Sequence, residues 1–294
     1  MKVRIGVGLG AAIGPAEFGG AIDLLEKAGI DSVWLSEVVT SAQVDPFVGM
    51  AHALSRTEHL KVGTGVVVLP GRHPALVAKQ LVSLAGLAPR RVLPAFGLQA
   101  ARPYERDLFP VPRGRRAAVF DEALQLLRLL LRADNVSFEG EFFTVETLTI
   151  GPKPAKPLDI WLGGFAPAGL RRAGRYADGW LASFITPQEA LHGRLAIETA
   201  AAEAGREIEE DHYGISIALA TDDIPAELIA LSRGRRPEVD PADLIPRGWS
   251  QMRTLISRYV DAGLTKFVVR PVDAGLTFES FVEDFVTHLQ PLQG

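Results

Sequence analysis

The stretch KVGTGVVVLPGRHP, Lys61–Pro74, running on into ALVAKQLVSLAG at Ala75–Gly86, decides how this chain folds. Lys61–Leu69 is an apolar run of the kind found in strands buried on both faces. Pro74–Gly86 switches to helical spacing, with proline in the first turn, where its missing N–H is no loss. A buried strand that hands over directly to a helix is one βα unit of a parallel sheet. Gly63 and Gly65 sit inside the strand. Glycine weakens a strand unless a bulge or a closely approaching ligand uses the space, and packing alone is the competing reading.

The same unit recurs on both sides. Upstream lie strand Val3–Leu9 with helix Pro15–Ala28, capped by Gly29, and strand Ser32–Ser36 with helix Asp45–Ser55. Downstream come Arg91–Gly97 with Arg113–Leu131, Asp159–Gly163 with Pro167–Tyr176, and Trp180–Ser183 with Thr186–Ala204. Tyr213–Ala220 with Ser250–Ala262 and Lys266–Arg270 with Phe278–Leu289 complete the set. Eight such units with right-handed crossovers predict an α/β fold, a single (β/α)8 TIM barrel over residues 1–294. Two insertions interrupt the rhythm. VSFEGEFFTVETLTI, Val136–Ile150, alternates around Glu139-Gly140 and reads as a β-hairpin after helix 4. Thr221–Gly248, after strand 7, is poorly periodic and reads as a long surface loop or lid with a short helix in it.

Composition narrows the function. A net charge of −4 supplies no basic field, so nucleic acid is not expected as a partner. The absence of cysteine removes disulfides, thiolate metal sites and a thiol nucleophile. No apolar run approaches the roughly 18 residues of a membrane span. The opening MKVRIGVGLG is glycine-rich and leads into a helix, so it reads as a strand and not a leader, and a cytoplasmic protein is expected. The six histidines show no HxH or HExxH spacing, so no metal site is expected. His73, just past strand 3, is the best placed of them, and a helix cap is the plainer reading.

In a barrel, chemistry sits at the C-terminal ends of the strands. Those ends are Gly8, Ser36-Glu37-Val38, Thr64-Gly65-Val66, Gly97-Leu98-Gln99, Gly163-Gly164-Phe165, Ser183-Phe184 and Arg270. Gly163-Gly164-Phe165-Ala166-Pro167 ends a strand on two glycines just before a helix, where free N–H groups would hold a phosphate. Glu37 is the one acid among these ends and is the candidate catalytic group, with a capping role as its alternative. Arg270 would hold an anion or form a structural ion pair. Phe96, Phe165, Trp180 and Phe184 give the mouth apolar bulk, which points to a small organic substrate.

Several stretches resemble the bacterial luciferase-like oxidoreductases: SVWLSE at Ser32–Glu37, DPF at Asp45–Phe47, KVGTGVVVLPGRHP with AKQLVSL, VSFEGEFF at Val136–Phe143, and IWLGG…LRRAGRYADGW at Ile160–Trp180. RGRRAAVFDEAL at Arg113–Leu124 and LPAFG resemble the F420-dependent actinobacterial branch. The resemblance implies a redox enzyme with coenzyme F420 as the favoured cofactor and FMN as the alternative. It implies a non-prolyl cis peptide at Gly65-Val66 beneath the ring, so that a side chain at Gly65 would intrude on the cofactor. It assigns Gly8, Glu37, Thr64, Gly65, Val66, Gly97, Leu98, Gly163, Gly164, Phe165 and Ala166 to the cofactor, and Val38, Trp180, Phe184 and Arg270 to the substrate. Arg72, Arg102 and Arg270 would serve the acidic glutamyl tail of F420. Relatives usually pair through barrel helices, so a homodimer is expected. Two positions depart from the pattern. Val38 stands where many relatives have histidine, and Ala100 lies near where sugar-phosphate relatives carry glutamate, with no acid until Glu105. A non-catalytic cofactor-binding barrel, an FMN monooxygenase and a Rossmann dehydrogenase remain as alternatives, the last on the glycines between Gly6 and Gly14.

Overall fold

Each of the eight apolar runs becomes a parallel strand in the computed structural model, which describes residues 2–10, 13–273 and 275–294. The chain begins β1 (Arg4–Gly8), α1 (Pro15–Lys27), β2 (Ser32–Leu35) and α2 (Pro46–Arg56). The third strand comes in two pieces, β3 (Lys61–Thr64) and β4 (Val67–Val68), before α3 (Pro74–Leu87). The fourth is also divided, into β5 (Val92–Leu93) and β6 (Ala95–Gly97), and precedes α4 (Arg116–Arg132). A two-stranded antiparallel sheet follows, β7 (Val136–Glu139) with β8 (Thr144–Leu148). Then come β9 (Trp161–Gly163), α5 (Pro167–Tyr176), β10 (Gly179–Ser183), α6 (Pro187–Glu203) and β11 (Tyr213–Leu219). The chain ends α7 (Ala226–Arg235), α8 (Pro241–Leu244), α9 (Gly248–Asp261), β12 (Lys266–Pro271) and α10 (Phe278–His288).

All ladders of the large sheet are parallel, and it curls. β1 lies between β12 and β2, β2 pairs with β3, and β9, β10, β11 and β12 pair in succession. Across the divided strands, β3 pairs with β5 while β4 pairs with β6, which in turn pairs with β9. This order is not that of a doubly wound dinucleotide-binding sheet, so the Rossmann reading fails.

Side chains of Trp34, Ala95, Trp161, Leu181 and Val268 fill the inside of the curl. Trp34 and Trp161 meet edge-on at 6.4 Å. Gly63 belongs to this packing, because a Cβ there would lie 2.6 Å from the Trp34 ring. Outside, α4 buries Val119, Phe120, Ala123, Leu124, Leu127 and Leu130 against the strands, as its apolar stripe requires.

Thr221–Gly248 is more helical than its sequence pattern indicates. It holds α7 and α8, the latter capped by the Asp240 side chain. The periodicity of α7 is weak because only Leu228 and Ser232 of its ten residues are buried. After β6, a short 3-10 helix at Pro103–Leu108 was likewise invisible to periodicity.

Candidate active site

The break between β3 and β4 is the structural centre of the mouth. The Gly65-Val66 peptide is cis. Chain that leaves a ladder must find other partners for its polar groups. Here the end of β2 supplies them. Gly65 N donates to Leu35 O at 2.7 Å, Ser36 Oγ donates to Gly65 O at 3.1 Å, and Glu37 N donates to Val66 O at 3.4 Å. On the other side the buried Thr64 hydroxyl does the work of a ladder, donating to Ala95 O and accepting from Ala95 N, both at 2.7 Å.

Gly97 and Gly163 serve this kink directly. A Cβ at Gly97 would lie 2.6 Å from Val66 Cγ2, and one at Gly163 would lie 3.2 Å from Val66 Cγ1. The Val66 side chain is therefore seated between two strand ends that carry none. A Cβ at Gly65 would meet Trp34 and Leu181 no closer than 3.8 Å, so the protein itself leaves room there. Gly8 closes against Arg270 in the same way, with 3.2 Å to the Arg270 Cβ.

Glu37 is 5% exposed and fully engaged. Its Oε2 accepts from Val68 N at 2.8 Å and from Arg72 Nη1 at 3.0 Å, and its Oε1 accepts from Arg72 Nη2 at 2.6 Å. Arg72 also donates to Val68 O and lies over the Phe109 ring at 5.0 Å. This bidentate pair ties the end of β2 to β4 and to the start of α3. Both partners are spent on it, so Arg72 has no charge left for a ligand. His73 caps α3, with Nδ1 accepting from Ala75 N at 3.2 Å, and does not present a free ring nitrogen pair to the mouth.

At the end of β9 the chain turns through Gly164, whose φ of +110° suits glycine. Ala166 begins α5 without a side-chain cap. Gly164 is still held by the β9–β10 ladder, but among the described residues no acceptor meets the N–H groups of Phe165 or Ala166. Trp180 is fully buried beneath this turn, and its indole N–H donates to Gly164 O at 2.8 Å. Its ring points toward Gly193 of α6. Trp180 therefore supports the turn from below and does not line the mouth, and Phe96, 1% exposed, is also core. Phe165 and Phe184 stay half-buried at the rim, each beneath a guanidinium, Arg236 at 5.6 Å and Arg235 at 5.0 Å. Val38 and Leu98 are half-buried at neighbouring strand ends.

Arg270 is the last residue but one of β12 and keeps partial solvent access. Burial, and then the charge of Arg235, pull its guanidinium below the ordinary arginine value, and among the described residues no carboxylate offsets them. Sequence reading missed two features of the rim. One is Glu105, fully buried in the 3-10 turn. Its Oε1 accepts from Thr40 N at 2.9 Å and from Thr40 Oγ1 at 2.5 Å, while its Oε2 has no partner. The other is the cationic C-terminal end of α7. Arg102 reaches Thr40 Oγ1 at 2.9 Å.

The sequence profile of the luciferase-like monooxygenases matches residues 1–254. The chain belongs to the luciferase-like monooxygenase family. Among similar members of this luciferase-like family, an uncharacterised protein of Mycobacterium tuberculosis is 35% identical over 59% of this chain and 60% of its own length. The chain thus spans about three fifths of that relative. A Kineococcus radiotolerans protein named F420-dependent glucose-6-phosphate dehydrogenase is 24% identical over 90% of both chains. Among solved structures, an F420-dependent secondary alcohol dehydrogenase in complex with an F420-acetone adduct covers the whole chain with a TM-score of 0.84 at 21% identity. The oxygenating constituent of a Pseudomonas putida diketocamphane monooxygenase in complex with FMN reaches 0.75 at 16%. At such identities the likeness is one of fold, and it places this luciferase-like chain among curled parallel-sheet barrels. Among the described residues no helix is long and apolar enough to cross a membrane.

Proposed function

We propose that this chain is a single closed (β/α)8 barrel domain over residues 1–294. We infer an oxidoreductase that uses coenzyme F420 on a small organic substrate. The observation that carries this reading is the collection of unmet hydrogen-bond donors on one rim. Among the described residues the N–H groups of Phe165 and Ala166 find no acceptor. A cofactor phosphate fits such a donor set at the start of a helix. When bound, F420 supplies the hydride chemistry of the reaction.

The chain's own residues would bind and orient. Gly163, Gly164, Phe165 and Ala166 would hold the phosphate, with Trp180 fixing the turn. Gly8, Thr64, Gly65, Val66, Gly97 and Leu98 would form the support beneath the ring. Val38, Phe184 and Arg270 would face the substrate. Glu37 acts here as a positioning residue, because both its oxygens hold Val68 and Arg72 in place. Proton exchange is then with solvent. F420 is preferred to FMN because Arg102, at the rim after β6, adds positive charge beyond what a single phosphate needs.

Fluorescence titration of the purified protein with F420 and, separately, with FMN tests this. Saturable F420 binding without FMN binding is the expected result. FMN binding alone would favour the monooxygenase alternative, and binding of neither would refute the reading.

A further inference from the structure

After β11, α7 crosses the mouth and is fastened on two sides. Arg236, at its C-terminal end, donates to Phe184 O at 2.7 Å and pairs with Glu189, the capping residue of α6. Arg235 reaches Ala101 O, beyond β6, at 3.3 Å. Leu228 packs with Ala218 and Ala220 at the end of β11. This turns one face of α7 toward the barrel. Residues three and four apart share a helix face, so Ser232 follows Leu228 on it and Arg235 follows Ser232. Ser232 is fully buried, and its hydroxyl has no partner.

The strap thus carries a hydroxyl without a partner among the described residues and a guanidinium to the mouth beside Arg270, which stands opposite Ala218 in the β11–β12 ladder, where Leu228 packs. Arg235 stands on the exposed rim and touches Phe184 and a backbone carbonyl, and among the described residues no carboxylate pairs with it. Two like charges brought together without a counter-ion repel each other and invite an anion. A planar guanidinium pair matches the oxygens of a carboxylate or phosphate monoester.

We propose that Arg235 and Arg270 form an oxyanion clamp, with Ser232 beside it, that takes a carboxylate or phosphate group of the substrate beneath the end of α7. This rests on the oxidoreductase reading above. It adds to that reading that the substrate is an anion.

The probe is inorganic phosphate, titrated calorimetrically into the full-length protein loaded with F420. Saturable binding at one site is expected, weakened about ten-fold or more in Arg270→Gln and in Arg235→Gln, while F420 affinity stays at the wild-type value. Arg235 is on the surface, so Arg235→Gln keeps the test open should Arg270→Gln fold poorly. Phosphate that fails to bind, or binds all three proteins alike, overturns the clamp. Competition between phosphate and F420 would also overturn it. So would weaker F420 binding in the variants with unchanged binding of a tail-less deazaflavin, because the arginines would then serve the cofactor tail. If wild-type protein does not bind F420 at all, the cofactor reading fails by itself, and phosphate titration of the unloaded chain still decides the clamp.

Discussion

Asp31 and Asp178 stand at the N-terminal ends of β2 and β10, each ringed by cations. Lys61 lies 2.6 Å from Asp31, with Arg4 at 3.7 Å and Lys266 at 4.0 Å. Arg128 makes a two-point contact with Asp178 at 2.7 and 2.9 Å, Arg206 adds a bond at 3.0 Å, and Ile160 N donates at 2.9 Å. At the opposite end of the strands, Arg270 has another arginine for a neighbour and no carboxylate. One end of the strands pairs its buried carboxylates with cations, while the other, beside the Glu37–Arg72 and Glu189–Arg236 pairs, leaves Arg270 and Arg235 open. The first pattern serves stability. The second makes sense for a surface whose counter-charge arrives with a ligand, since a stretch tuned for binding forgoes some stability.

The largest expected effect breaks that contrast if it fails. Asp178→Asn should cost about 3 kcal/mol, because it strands two partly buried arginines. Arg270→Gln should leave stability unchanged or raise it, because it removes a desolvated charge that has no partner. Urea midpoints of the two variants decide this, and comparable losses would erase the distinction between the ends. Next in size is Gly97→Ala. Its methyl would press on Val66, so about 1–3 kcal/mol of overpacking is expected together with weaker F420 binding. Gly163→Ala, with a looser approach, should do the same to a lesser degree. Thr64→Val removes the hydroxyl that serves both Ala95 groups, and about 1–2 kcal/mol should be lost in thermal unfolding.

The smallest effect is on pH dependence. Burial raises the Asp31 and Asp178 carboxyls, but Lys266 and Lys61 in one case and Arg128 in the other outweigh it and hold both below the usual carboxylate range. A folded value below the unfolded one gives stability that is whole above about pH 4. That stability is lost as pH falls through the folded values. The Asp178→Asn variant should therefore lose less stability than wild type between pH 5 and the acid limit, roughly. An equal loss would mean that other carboxylates carry the acid sensitivity.

Much of this architecture was legible from periodicity, because both-face burial and helical spacing alternate without ambiguity along most of the chain. The site was legible only by position. Glu37 was found at its strand end, but its partner Arg72 lies far along the chain and no spacing links the two. Gly97 and Gly163 read as ligand space, whereas the side chain of Val66 uses it. Trp180 read as a mouth residue because it is a large aromatic near a strand end. Side chains alternate along a strand, and Trp180 points outward under α6 while Leu181 points in. Glu105 lies in a six-residue 3-10 helix too short to leave a pattern, and α7 has too narrow a buried face to be seen as a strap.

The account depends on cofactor chemistry at the open end of the barrel. Anaerobic mixing of the protein and oxidised F420 with a panel of anionic and neutral alcohols, followed by visible absorbance, tests it most directly. Loss of the oxidised deazaflavin band with at least one anionic donor, and slower loss in Arg270→Gln, is the expected result. An unchanged band with every donor, in protein shown to bind F420, would contradict it and leave a binding barrel without a reaction.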